Sequence, residues 1–319
     1  MMRTVIFAAT AFALAGLADA GLNDASAASR VWLSAAKGVD SNPCSLQAPC
    51  RTFLAALNKV DTGGEIDFLD PGGYGFADIT KAVSIVNDGI GEAGSQGSGG
   101  VSAAIFVRAG ATEDVMIRGL TIEGARTTPN GVDFISGRTL TIQNCVIRNF
   151  TQFGVLAENA AAGKLEIIGS TIMDNYRGVN IATTGNGYIY AAIDKSTISN
   201  NVLNVAVDGV NNSGIGDDAT KVTVSNSQIA FGTEGVVTTA RPQPTNVVLS
   251  NNVISHHTGS GVHAERNGAQ AVITLANNTI THNAIGINNN GTIYTFDDNH
   301  VYQNNTDAIG ASLIFEGTR

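Results

Sequence analysis

From residue 115 onward the chain alternates short apolar runs with Asn-, Ser- and Gly-bearing turns, and one phrase recurs. An apolar strand leads into a polar pair, and Ile or Val follows two residues later. A second polar turn, a Gly and another short apolar stretch complete the unit. Leu140 to Ile147, Leu165 to Ile172, Val222 to Ile229, Val247 to Ile254 and Ile273 to Ile280 are copies of its first half. The anchors Ile122, Ile147, Ile172, Ile198, Ile229, Ile254, Ile280 and Val301 are spaced 25, 25, 26, 31, 25, 26 and 21 residues apart. The longest gap holds an insertion, Asp208 to Thr220. The two-residue alternation predicts strands, and the fixed period predicts a solenoid. Helical solenoids need amphipathic helices that this stretch lacks, and leucine-rich repeats need regular Leu where this chain has Ile, Val and Thr. About 25 residues suit a coil of three short strands. Stacked coils would set parallel strands about 4.8 Å apart and merge their inward Ile, Val and Leu into one core.

The turns fit this all-β reading. Asn144, Asn226, Asn251 and Asn277 share one column. Asn tolerates left-handed backbone, and stacked amides can hydrogen-bond along the column. Gly154, Gly178, Gly235, Gly261 and Gly286 form a second column, where positive φ or close backbone approach is expected. Shorter strands precede the repeat at Glu65 to Leu69, Val83 to Val86, Ala104 to Val107 and Val115 to Ile117, with a Gly/Ser-rich loop from Gly91 to Gly100. Arg51 to Val60 has its apolar residues at helical spacing, which predicts a short amphipathic helix over the first coil's open edge. The expected organisation is a signal peptide at 1–28, an N-terminal cap at 29–62 and a parallel β-helix over 63–315.

Composition sets the compartment. Arg3 precedes an apolar run, Thr4 to Leu17, and small residues follow; this reads as a secretory signal, too short to be a membrane anchor. A periplasmic or secreted protein keeps disulfides, so Cys44 and Cys50, in a Pro-flanked loop, are expected to pair. Cys145 falls where other coils place Ser170, Ser196 and Ser227, and is read as a small buried turn residue. The formal net charge is −9, and no Lys/Arg cluster suggests a nucleic-acid partner.

With these features the chain resembles the right-handed parallel β-helix proteins of the pectate-lyase-like superfamily over most of residues 31 to 315. Its opening, Val31-Trp32-Leu33-Ser34 to Thr52-Phe53, is similar to that of many exported bacterial β-helix proteins. The resemblance implies the fold and not one activity, because the superfamily holds lyases, hydrolases, epimerases and adhesins. Asn305-Thr306-Asp307 matches the first polygalacturonase motif, but the other motifs are missing and only twelve residues follow.

The repeat also predicts which polar residues share a face. Two positions past the anchors stand Asn149, Asp174, Asn200, Phe231, His256 and His282. Two positions past the turn glycines stand Asp133, Leu156, Asn180, Val237, His263 and Asn288. His256 and His282 should lie about one strand spacing apart, and His263 and Glu265 should share a face. Asp174, Asn180, His256, His263, Glu265 and His282 are therefore the candidate ligand contacts, bordering one groove. Tyr188 and Tyr190 are a candidate aromatic platform. Asp208, Asp217 and Asp218 are weak candidates for Ca²⁺, and no other cofactor is expected. A polysaccharide or cell-surface glycan is the expected partner, bound without cleavage. The alternatives are a polysaccharide lyase or glycoside hydrolase, and a structural or adhesive module. The last strand, Ser312 to Phe315, leaves an edge that invites a homo-oligomer.

Overall fold

The computed structural model describes residues 28–97, 100–185, 187–209, 220–240 and 243–317. The signal segment, apart from Ala28, and the two insertion carboxylates Asp217 and Asp218 lie outside them. Among the described residues the strands form two parallel sheets, one of 12 strands and one of 18, which wind around a single core. The first sheet runs from Ala28–Leu33 through Val60–Phe68, Val83–Val86 and each later coil to Ile314–Phe315. The anchor residues stack in register as the repeat predicts: Ile147 pairs with Ile122 and Ile172, and Ile254 with Ile229 and Ile280. All of these are fully buried.

The helix is Phe53–Lys59, shorter at both ends than the apolar spacing suggested. Thr52 is its N-cap, and its side chain accepts from the Ala55 N–H. Phe53 packs edge-on against Phe68 and Tyr74, so the helix closes the first coil with an aromatic cluster. Beside it Cys44 and Cys50 form the expected disulfide. Its short loop gives the unfolded chain little to lose. Cys44→Ser/Cys50→Ser should therefore lower unfolding free energy by only about 2 kcal/mol, read by urea titration. A loss of all cooperative unfolding would show that the bond organises far more than its loop.

Each coil has two tight turns. Asn144, Asn226, Asn251 and Asn277 occupy left-handed backbone at the first, as do Gly169 and Lys195. Their amides form the expected outer ladder: Asn277 Nδ2 donates to Asn251 Oδ1 at 3.2 Å, and Asn251 Nδ2 to Asn226 Oδ1 at 2.6 Å. The second turn is left-handed at Asn149, Asp174, Asn200, Phe231, His256, His282 and Gln303. The glycine column that follows is there for close approach and not for positive φ. A Cβ on Gly178 would meet the Asn204 carbonyl oxygen at 2.6 Å and the Ile198 side chain at 2.8 Å.

Two further ladders run inside the wall, one position past each turn. In the first, backbone N–H groups of Cys145, Ser170, Ser196, Ser227, Asn252 and Asn278 each donate to the side chain one coil on. Cys145 is buried there, and burial pushes its thiol up to about 11, so it is an inert ladder member. In the second, Phe150, Asn175 and Asn201 are followed by Gly232, which has no side chain to offer. Asn204 fills the gap. Its Oδ1 accepts from the Asn201 amide at 2.9 Å, and its Nδ2 lies 2.9 Å from His257 Nε2. His257 Nδ1 in turn faces Asn283 Oδ1 at 2.8 Å. Since an amide oxygen only accepts and an amide nitrogen only donates, His257 carries its proton on Nδ1 and is neutral. Burial lowers its pKa accordingly.

Candidate functional site

The sequence candidates divide between two places. Asp174, His256 and His282 are on the second turn, at the outer corner of the coil. The His256 and His282 rings stack with centroids 5.2 Å apart and planes 3° apart, and Phe231 extends the stack at 5.0 Å. A bulky Phe in left-handed backbone is unusual, and strain of that kind collects at functional positions. Asp174 lies further along the same corner, beside a surface pocket of about 380 Å³ shared with Arg126, Tyr176 and Asn200.

Asn180, His263 and Glu265 lie on the strand after that turn. Register places Asp78, Phe106, Asp133, Leu156, Asn180, Ala206, Val237, His263 and Asn288 in one column. They point away from the core, because Val132, Val155, Val179, Val205, Val236, Val262 and Ile287 alternate with them into it. Yet Asp133 is only 5% exposed, and Asn180 and Leu156 are buried too. The columns on either side stand above them. One, three residues upstream, carries Phe153, Arg177, Leu203, Glu234, Ser260 and Ile285; the other, two residues downstream, carries Arg108, Glu158, Asp208, Thr239 and Glu265. The result is a trough along the axis, whose floor is polar at Asp78, Asp133, Asn180, His263 and Asn288 and apolar at Phe106, Leu156, Ala206 and Val237 between them.

This arrangement corrects the grouping of the histidines. The ridge carrying Glu234 separates the trough from the Phe231–His256–His282 stack. His263 faces Glu234, Nδ1 to Oε2 at 3.7 Å, too long for a hydrogen bond. Glu265 instead accepts from Thr239 Oγ1 at 3.1 Å. Among the described residues no three His, Cys, Asp or Glu side chains converge as metal ligands. Asp208 ends its strand in register with Thr239. Tyr188 and Tyr190 do meet, with centroids 5.1 Å apart, on the other sheet's face, where Lys221 lies over the Tyr190 ring.

The trough's polar groups are poorly satisfied. Eight buried side-chain polar atoms lack a hydrogen-bond partner among the described residues, and six of them line it: Asn130 Oδ1, Asp133 Oδ1, Arg177 Nε, Glu234 Oε2, His263 Nε2 and Asn288 Oδ1. Burial, reinforced by the nearby Glu158 charge, pushes the Asp133 carboxyl up to about 6. Burial also raises Glu158. Sequence reading placed Asp133 in the column but missed the residues that flank the column, Glu158 beside Asp133, Arg177 beside Asn180 and Glu234 beside His263, which come from neighbouring columns.

The right handed beta helix region family matches residues 72–191 and, overlapping them, 103–279. The chain belongs to this family. Among solved structures it is similar to the pectate lyase Pel9A, at 17% identity and a TM-score of 0.65, over 88% of this chain and 78% of that one. It is also similar to an alginate lyase from Paenibacillus sp. str. FPU-7, at 13% identity and a TM-score of 0.46, over 91% and 99%. A third is the A-module of the Azotobacter vinelandii mannuronan C-5 epimerase AlgE4, at 15% identity and a TM-score of 0.36, over 81% and 91%. At these identities the likeness is one of fold. No curated protein matches by sequence.

Proposed function

We propose that this right-handed β-helix is an exported glycan-binding protein whose ligand lies along the trough. The observation that carries the reading is the row of unpartnered buried polar atoms on one face. Most buried polar groups of a folded chain find a partner in the protein or in ordered water, and a row of exceptions on one face is what a polar ligand would complete. Sugar hydroxyls donate and accept at intervals close to the coil spacing, so a polysaccharide laid along the axis meets one coil after another. The fold shared with a pectate lyase supports a carbohydrate ligand. The Cys44–Cys50 disulfide supports export, and no helix among the described residues is long and apolar enough to cross a membrane.

A second reading, cleavage, has one observation in its favour. Asp133 near pH 6 beside a second raised carboxylate is how a general acid is prepared. One assay separates the two. Purified protein is incubated with a polysaccharide panel, new reducing ends and unsaturated uronate absorbance are followed, and retention on the same glycans is measured. Retention without product is expected. Product from any glycan would replace binding by catalysis, and absence of both would remove the glycan reading.

A further inference from the structure

Resting on that reading, we infer that the trough selects glycans that present hydrogen-bond donors and positive charge, amino-sugar polymers above all, and rejects polyuronates. The hydrogen-bond inventory comes first. Asn130 spends its amide nitrogen on Asp133, so its free Oδ1 is an acceptor. Asp133 Oδ1 and Glu234 Oε2 are carboxylate oxygens and accept. His263 Nε2 also accepts when its proton sits on Nδ1, facing Glu234. Against these stands one unpartnered donor, Arg177 Nε. On these atoms a ligand that donates is favoured. Hydroxyl and ammonium groups do so, whereas a uronate carboxylate only accepts.

Charge points the same way. The trough and its ridges carry Asp78, Asp133, Glu158, Asp208, Glu234 and Glu265. Facing them are the guanidiniums of Arg108 and Arg177. Arg108 is held by Asp78 at 3.1 Å, and Arg177 donates to Asn180 Oδ1 at 2.6 Å. Arg177 keeps its Nε unpartnered, so it is the excess of carboxylates, six against two guanidiniums, that disfavours a uronate. The Glu158 charge already opposes the ionisation of Asp133, and a further carboxylate in the trough would add to the repulsion. An ammonium group would relieve it.

The test is titration calorimetry of the full chain with length-matched oligosaccharides: glucosamine, N-acetylglucosamine, glucose and galacturonate oligomers, all β- or α-1,4-linked, at low and at physiological salt. Glucosamine oligomers should bind best, the neutral oligomers next, and galacturonate at least about tenfold more weakly than glucosamine. The double variant Asp133→Asn/Glu158→Gln should lose most of the glucosamine preference. A control that removes the same charge outside the trough, Asp297→Asn/Asp298→Asn, should retain it. Equal or better binding of galacturonate would overturn the inference and leave the glycan reading intact. So would a preference unchanged in the trough variant, or one lost equally in the control, since that would mark general attraction to an acidic protein. If no oligomer of any class binds, the glycan reading falls with it. Circular dichroism of both variants confirms the fold.

Discussion

His257→Ala should lower the unfolding free energy by about 4 kcal/mol at pH 8. The change removes both imidazole hydrogen bonds, at about 0.5–1.5 kcal/mol each, and leaves a cavity, while Asn204 Nδ2 keeps the Ala230 and Phe231 carbonyls and Asn283 Oδ1 keeps the backbone N–H of residue 257. His257 is also the one place where an imidazole spans the gap left by Gly232. Asn at this position would keep the bond to Asn283 but reach too short for Asn204, so His257→Asn should fall between wild type and His257→Ala. The pH dependence gives a sharper test. Burial lowers the His257 pKa in the fold, whereas the unfolded chain titrates near the ordinary value of 6.5. The neutral ring's contribution is therefore complete above pH 6.5. It is lost as pH falls below that value, because the unfolded state binds the proton first. Urea titrations at pH 8, 7, 6 and 5 should show the gap between wild type and His257→Ala narrowing on acidification. A gap that stays constant across that range would mean that His257 is not held neutral between two amides.

Asp133→Asn should raise stability, by a ceiling of about 3 kcal/mol above pH 7, given a carboxyl pushed from 3.8 to about 6. The sign follows from the direction of the shift. A raised carboxyl is disfavoured as an anion in the fold, so it destabilises fully above pH 6. The penalty is relieved as the pH falls through 6 and is gone below about 4, where the unfolded chain is protonated as well. Asn is nearly isosteric and keeps an oxygen to accept from Asn130 Nδ2. Thermal unfolding of the two proteins should differ most at pH 7.5 and converge at pH 4. The same variant should bind the preferred glycan more weakly, because a costly buried anion is kept where function needs it. A variant that gains stability and binds as well as wild type would remove Asp133 from the ligand site. One that gains nothing would show that water, and not burial, governs the carboxyl.

Both positions show where the periodic reading stops. Asn175, Asn201, His257, Asn283 and Asn304 lie three residues past the anchors Ile172, Ile198, Ile254, Ile280 and Val301. That regularity is in the sequence, one residue beyond the column chosen for its outward polar groups. In sequence alone, polar residues in a solenoid turn are indistinguishable from solvent decoration. Only the wound chain shows that the turn reverses on a left-handed residue, so that the next side chain points inward. Adjacent positions such as His256 and His257 then meet opposite fates: one is stacked outside, the other locked in the wall.

What the chain's own pattern determined is everything that repeats. Strand alternation, the period near 25, the Asn turns and the stacked histidines follow from local preference and from the requirement that identical coils bury the same face. The Cys44–Cys50 pair followed from short spacing and compartment. What only the tertiary structure decided is everything that depends on the exceptions. Asn204 replaces a ladder side chain missing at Gly232, a substitution across coils that no single repeat encodes. Glu234 and not Glu265 faces His263, because the coils bring together residues 29 apart that alternation along one strand cannot pair. The raised Asp133 carboxyl depends on how high its neighbouring columns stand, and burial is a property of the assembled surface, not of a residue or its register.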